Sequence, residues 1–269
     1  MNNKYIGVFD SGLGGLTAVK ELMKVLPKES IIYFGDTGRV PYGTRSNETI
    51  IKYVRSDINF LKSFDIKMII VACGPVSSVA LPILENELDV PVIGVVSPTA
   101  QAAVNSTKNK KIAVLGTTGT INSGKYEQEI KSICPDIKVY NKACPLFVPL
   151  VENGFTDNKI AELVCKEYLD DVLNDGADTI ILGCTHYPIL ENTISKIVGS
   201  DITLINSGAE TAKYTKQYLL ENNMLSDKPL QNQYRYYVSD SIENFSNVAD
   251  VFLGKTIGNE IEKINIENY

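Results

Sequence analysis

Two cysteines stand at matching places in the sequence, and their pairing defines the chemistry open to it. Ile69-Ile70-Val71-Ala72-Cys73 resembles Ile180-Ile181-Leu182-Gly183-Cys184, roughly 110 residues further along. In each, an apolar run that reads as a strand ends at the thiol and a polar turn begins. Open parallel α/β sheets bind ligands at the carboxyl ends of their strands. Two more matches keep the same order and nearly the same offset: Lys4–Asp10 with Lys110–Gly116, and Val92–Pro98 with Thr203–Gly208. Together they imply two similar halves. If the halves face each other about a pseudo-twofold axis, Cys73 and Cys184 reach opposite sides of one cleft. One thiol would take a proton from one face of a small molecule, and the other would return a proton to the opposite face. That is what inversion of a stereocentre without a cofactor requires. A free thiol has a pKa near 8.5, close enough to neutral for acid-base work. The alternative is that both are buried packing residues.

The residues around the thiols extend this reading. His186, the only histidine, stands two positions after Cys184, where it can lower the thiol pKa or shuttle its proton. A Cys-His hydrolase pair is the other use of that spacing. Asp10 opens Asp10-Ser11-Gly12-Leu13-Gly14-Gly15, a turn that lets a ligand approach backbone and leads into a helix N-terminus that suits an anion. Asp10 either orients a cysteine or caps the helix. The dinucleotide fingerprint fails because its sixth position is Thr17, and the Walker lysine is missing, so a small carboxylate fits better than a nucleotide. Asp36–Gly43 reads either as a Pro-containing turn or as a ligand loop with Tyr42 and the Gly43 amide as donors. One histidine excludes HExxH zinc chemistry, and Cys-x-His has the wrong spacing for zinc, so no metal is expected. No flavin, nicotinamide or pyridoxal signature is present either, so no cofactor is expected.

The elements that must position these residues alternate. Apolar runs at Tyr5–Phe9, Ser30–Phe34, Lys67–Ala72, Val92–Val96, Lys111–Leu115, Lys138–Asn141, Thr179–Leu182 and Thr203–Ile205 read as strands covered on both faces. Between them lie helical patterns at Leu16–Val25, Ser46–Ser63, Ser77–Glu87, Ser97–Thr107, Tyr126–Ile133, Lys159–Asn174, Leu190–Val198 and Ala209–Glu221. This alternation is an α/β signature with parallel sheets. Residues 1–97 with 208–269 are expected to form one discontinuous domain, and 98–207 the other. Asn222–Gln233 reads as a surface loop, Tyr234–Val238 as an edge strand and Glu243–Phe252 as a last helix.

Composition narrows the classes. The chain has 269 residues, 44% hydrophobic and 22% charged, ordinary for a globular protein and large enough for two domains. A net charge of −6 argues against nucleic acid as a partner. No apolar stretch has the length of a membrane span, and no leader pattern is visible. Five widely spaced cysteines make a poor disulfide framework and point to a reducing cytoplasm.

Taken together, the segments resemble the cofactor-independent aspartate/glutamate racemases, and glutamate racemases among them. The resemblance is carried by GVFDSGLGGLT (7–17), IYFGDTGRVPYGTRS (32–46), VAC (71–73), PVIGVVSP (91–98), CPLFVPLVENG (144–154) and ILGCTHYPIL (181–190). It implies two flavodoxin-like domains with the active site between them, and conversion of L- to D-glutamate for peptidoglycan. It implies Cys73 and Cys184 as the acid-base pair, Cys73 acting on D-glutamate and Cys184 on L-glutamate, with Asp10 and His186 assisting. It also implies substrate contacts at Asp10, Ser11, Tyr42, Gly43, Gly74, Pro75, Thr185 and His186. Acidic racemases of this kind are often homodimers, so a second copy is a partner the resemblance allows.

One departure matters. The family pattern after the first cysteine is Asn-Thr, and here it is Gly74-Pro75. Proline offers neither a hydroxyl nor an N–H. A lost hydrogen bond to a charged ligand group costs about 1.5–3 kcal/mol. Ser77 or Ser78 is expected to compensate. The departure keeps two rival readings in view: an aspartate or broad amino-acid racemase, and an amino-acid-binding protein without turnover.

Overall fold

The computed structural model describes residues 3–254, 256–257 and 260–269. The chain begins with β1 (Tyr5–Asp10), α1 (Leu16–Val25), β2 (Ser30–Gly35), α2 (Asn47–Lys62), β3 (Ile66–Val71), α3 (Gly74–Val79), α4 (Leu81–Glu87) and β4 (Val92–Gly94). Then come α5 (Val96–Ser106), β5 (Lys111–Gly116), α6 (Thr118–Asn122), α7 (Lys125–Ile133), β6 (Lys138–Ala143), α8 (Phe147–Glu152) and α9 (Lys159–Asn174). It ends with β7 (Thr179–Leu182), α10 (Glu191–Val198), β8 (Thr203–Asn206), α11 (Ser207–Glu221), β9 (Tyr234–Val238), α12 (Ile242–Leu253) and β10 (Ile261–Lys263).

These strands form two all-parallel sheets, β10-β9-β2-β1-β3-β4 and β6-β5-β7-β8. Counted from β1 and from β5, each sheet contains the order 2-1-3-4, so the repeat read from the cysteine-bearing strands is a repeat of topology. It is also the start of the flavodoxin order, in which ligands sit where the strand order reverses. Here that reversal lies beside β1 and β3 in one sheet, and beside β5 and β7 in the other. Cys73 and Cys184 follow β3 and β7.

Burial explains why the runs were readable. Strands β2 and β3 are buried at every residue. Each fully buried Ile, Val or Phe contributes about 1.5–3 kcal/mol from apolar burial, so a two-faced strand carries no polar alternation. The charged exception is Lys67, whose ammonium pairs with Glu29 at 2.6 Å and meets the Met224 carbonyl at 2.7 Å. That buried pair fastens the loop after α11 to the base of the larger sheet. Among the helices, α1 buries Leu16, Val19 and Leu22 at helical spacing and packs on α11 and α12. Asn158 and Asn206 cap α9 and α11 through their side-chain oxygens.

The structure corrects several local readings. The helix read at Ser77–Glu87 is two, α3 and α4, broken at Ala80. Pro82 lies in the first turn of α4, and a proline there cannot continue the preceding ladder. Strand β4 stops at Gly94 and α5 starts at Val96. Tyr234–Val238 is not an edge strand, because β10 pairs with it in parallel. A three-residue strand such as Ile261–Lys263 has no apolar run to announce it. The short helices α6 and α8 were not foreseen.

Candidate active site

The larger sheet supplies one group of side chains. Asp10, the last residue of β1, is 2% exposed, and its Oδ2 accepts a hydrogen bond from the Gly12 amide at 2.9 Å. Burial raises its pKa, and the nearby His186 opposes that rise. The N-cap of α1 is Gly15, with no side-chain cap bond, so Asp10 is a loop-organising carboxylate rather than the N-cap. Cys73 follows β3 as the N-cap of α3 and is 3% exposed. Its thiol donates to Ser11 Oγ at 3.4 Å. Burial pushes its pKa up to about 12, the Asp10 charge pushes the same way, and the bond to Ser11 resists.

The smaller sheet supplies the second group. Cys184 follows β7 and is buried. Its Sγ lies 3.9 Å from His186 Nδ1, and His186 Nε2 lies 2.9 Å from Glu152 Oε1. Burial works against a charged imidazole here, but the bonds to Cys184 and Glu152 prevail and raise its pKa to about 10. Which ring nitrogen carries a proton follows from these partners, since the protonated imidazole donates at both.

Backbone contacts join the groups. A β-carbon at Gly74 would stand 3.0 Å from the Gly183 carbonyl oxygen and 3.0 Å from Thr120 Oγ1. The residue after one catalytic candidate therefore abuts the residue before the other. Gly14 is closer still: a β-carbon there would collide with Thr185 Oγ1 and His186 Nδ1. The glycine turn after β1 thus lies directly against Thr185 and His186, and only a glycine permits that approach. The Thr17 hydroxyl binds across the same junction, 2.8 Å from the Thr185 carbonyl. A cavity of about 140 Å³ opens alongside, lined by Gly12, Leu13, Val40, Glu152, Asp240 and Phe245. Its walls include Glu152, the partner of His186, but neither thiol.

The other sequence candidates divide. Gly43 lies against Thr117 and Pro75, so the Tyr42–Gly43 backbone borders the Cys73 turn. The Tyr42 hydroxyl is engaged elsewhere. It donates to Asp36 and to Asp57 Oδ2, in a buried group completed by Arg39, whose Nε lies 2.6 Å from Asp36. Burial and the neighbouring Asp36 raise the Asp57 pKa well above the ordinary carboxylate range, against Arg39. Tyr42 can therefore offer a ligand its backbone, and its phenol braces the loop. The expected compensation by serines fails: Ser77 Oγ donates to the Val71 carbonyl and Ser78 Oγ to the Gly74 carbonyl, both at 2.8 Å. The hydroxyl beside Gly74 belongs to Thr120 instead.

Glu152 was missed by the sequence reading, although it lies within the CPLFVPLVENG motif. It is the last residue of α8, where a carboxylate meets the unfavourable end of the helix dipole. That misfit would have marked it, had the six-residue helix been recognised. Among the described residues, no cluster of three or more His, Cys, Asp or Glu is arranged to hold a metal ion. No described helix is long and apolar enough to cross a membrane.

The profile described as Asp/Glu/Hydantoin racemase matches residues 16–215. The chain belongs to this racemase family. Within the family it is 44% identical to a glutamate racemase of Geobacter metallireducens, over 98% of this chain and 97% of that one. Solved structures agree. A glutamate racemase isoform of Bacillus anthracis superposes with a TM-score of 0.93 at 39% identity, covering 98% of each chain. That of Francisella tularensis, solved in complex with D-glutamate, superposes with a TM-score of 0.92 at 40% identity and covers 100% of each chain.

Proposed function

We propose that this protein is a glutamate racemase that moves the Cα proton between the faces of glutamate with Cys73 and Cys184, without a cofactor. The observation that carries the reading is the joining of two equivalent strand ends, each bearing a buried thiol with its own acid-base neighbours. Full-length likeness to glutamate racemases supports glutamate as the substrate.

In the L-to-D direction, the Cys184 thiolate takes the α-proton, and the C–H electron pair passes into the substrate carboxylate as an enolate. The Cys73 thiol then gives its proton to the opposite face, and the pair returns to form the new C–H bond. A Cys73 thiol whose pKa stands at about 12 is a proton donor ready for this step. His186 keeps a proton beside Cys184, where its charge faces the carbanionic intermediate. Ser11 holds the first thiol, Asp10 holds the turn that carries Ser11, and Glu152 holds His186. Ser11, Thr185 and the main chain of Gly43, Gly74 and Pro75 border the glutamate. The product serves peptidoglycan synthesis in the cytoplasm, and free thiols at all five cysteines accord with that compartment. Residues 1–97 with 208–269, and 98–207, act as the two units that close on the substrate, in keeping with the division of strands between sheets.

The test is turnover of L- and D-glutamate with chelator present and no cofactor added. Racemisation is expected in the native chain. In Cys73→Ala and in Cys184→Ala it should fall by about a thousandfold or more, since positioned acid-base groups contribute about 10²–10⁴ each. Full activity in either variant removes the two-thiol scheme. Gly74-Pro75 favours one secondary reading, a broader choice of amino acid, because the side chains that grip the head group are missing there. A panel of enantiopure amino acids followed by circular dichroism separates the two.

A further inference from the structure

The His186 imidazole is held at two points, Nδ1 toward Cys184 and Nε2 toward Glu152. The plane of the ring is set by rotation about its Cβ–Cγ bond, which these two contacts restrain. The 3.9 Å contact to sulfur is long and weakly directional, and Glu152 is 42% exposed, so neither stops that rotation. A third contact does. The ring of Phe252 stands against the imidazole with centroids 5.3 Å apart and planes at 89°. Phe252 is fully buried in the last turn of α12, which packs on α1, the helix that follows the glycine turn. The same helix reaches the Cys73 side through Phe245, which packs on Tyr33, whose hydroxyl donates to the Gly12 carbonyl at 2.8 Å.

We propose that Phe252 is a positioning residue that locks the plane of His186, so that Nδ1 stays directed at Cys184 and Nε2 at Glu152. The role rests on the two-thiol reading above. It gives the C-terminal helix a function that the motif-bearing segments do not suggest, since none of those segments includes residue 252.

The test uses the full chain with Phe252→Leu, Phe252→Met and Phe252→Tyr. The primary isotope effect on kcat/KM is read from 2-deutero-L-glutamate and from 2-deutero-D-glutamate. This quantity does not depend on how much enzyme is correctly folded, so a merely structural role leaves it unmoved. In the Leu and Met variants kcat should fall about tenfold, part of the acid-base contribution of His186, with KM little changed. The isotope effect from the L side should rise, because the Cys184 step becomes slower, while that from the D side falls or stays. Phe252→Tyr, which keeps the ring, should restore the native pattern. Unchanged isotope effects in both ringless variants overturn the proposal, whether activity is kept or lost. Equal rises from both sides overturn it too. A native enzyme that does not racemise glutamate, or shows no isotope effect from either side, would instead defeat the two-thiol reading itself.

Discussion

The turn after β3 and the turn after β7 occupy the same place in two sheets of the same order, yet their surroundings differ. Cys73 sits beside a hydroxyl and a buried carboxylate, Ser11 and Asp10. Cys184 sits beside an imidazole that a second carboxylate supports. Burial raises the Cys73 pKa and the Asp10 charge adds to it, so this thiol keeps its proton. On the other side the proton resides on His186. A repeated topology therefore supplies two equivalent positions with different surroundings, a buried thiol beside Ser11 and Asp10 in one and a thiol beside a protonated imidazole in the other. The difference teaches that symmetry of backbone does not carry symmetry of protonation.

The two turns should respond differently to loss of their supporting groups. His186→Asn and Asp10→Asn should each lower kcat by about 10–100-fold, a share of the 10²–10⁴ expected of positioned acid-base groups. They should do so on opposite sides. His186→Asn should raise the isotope effect from deuterated L-glutamate, and Asp10→Asn the effect from deuterated D-glutamate. The same direction in both would mean that the two turns are not specialised.

A smaller effect is expected where the turns touch. Gly74→Ala places a β-carbon 3.0 Å from the Gly183 carbonyl and from Thr120 Oγ1. A helical alanine is intrinsically favoured over glycine by up to about 1 kcal/mol, so α3 itself should not weaken. Closure of the cleft should, and kcat/KM should drop about tenfold, as a displacement below 1 Å can cost that much. Steady-state rates beside a melting curve separate the two contributions. Retained kcat/KM would show that the Gly74–Gly183 contact is not needed for turnover.

The smallest effect is on stability. The His186 pKa rises from an ordinary 6.5 to about 10 in the folded chain. A raised folded value means that protonation favours folding. That contribution is complete below pH 6.5 and fades as pH climbs through 10. Urea titrations between pH 6.5 and 10 should show the native chain losing stability more steeply than His186→Asn. Parallel slopes would contradict the raised value.

Much of the architecture was legible because parallel strands are buried on both faces. Val71-Ala72-Cys73 and Leu182-Gly183-Cys184 show this directly: apolar runs that stop abruptly where the sheet ends. The parts that stayed hidden depend on contacts between distant segments. Tyr42 looked like a ligand donor, but its phenol faces two aspartates, and one of them, Asp57, lies a helix away. Ser77 and Ser78 looked available, yet the Ser77 hydroxyl is taken up by the last carbonyl of β3 and that of Ser78 by the first carbonyl of its own helix. Glu152 and Phe252 converge on His186 from opposite ends of the chain's second half, and no local pattern joins them to it. Strand β10 is three residues long and borrows its order from β9.

If two different groups handle the proton on the two faces, racemisation of L-glutamate in deuterium oxide at low conversion will reveal it. Newly formed D-glutamate should carry one solvent deuterium at Cα while the remaining L-glutamate is still unlabelled. Product that keeps the substrate's own hydrogen, or label appearing equally in both enantiomers from the start, would point to a single shared base and contradict it.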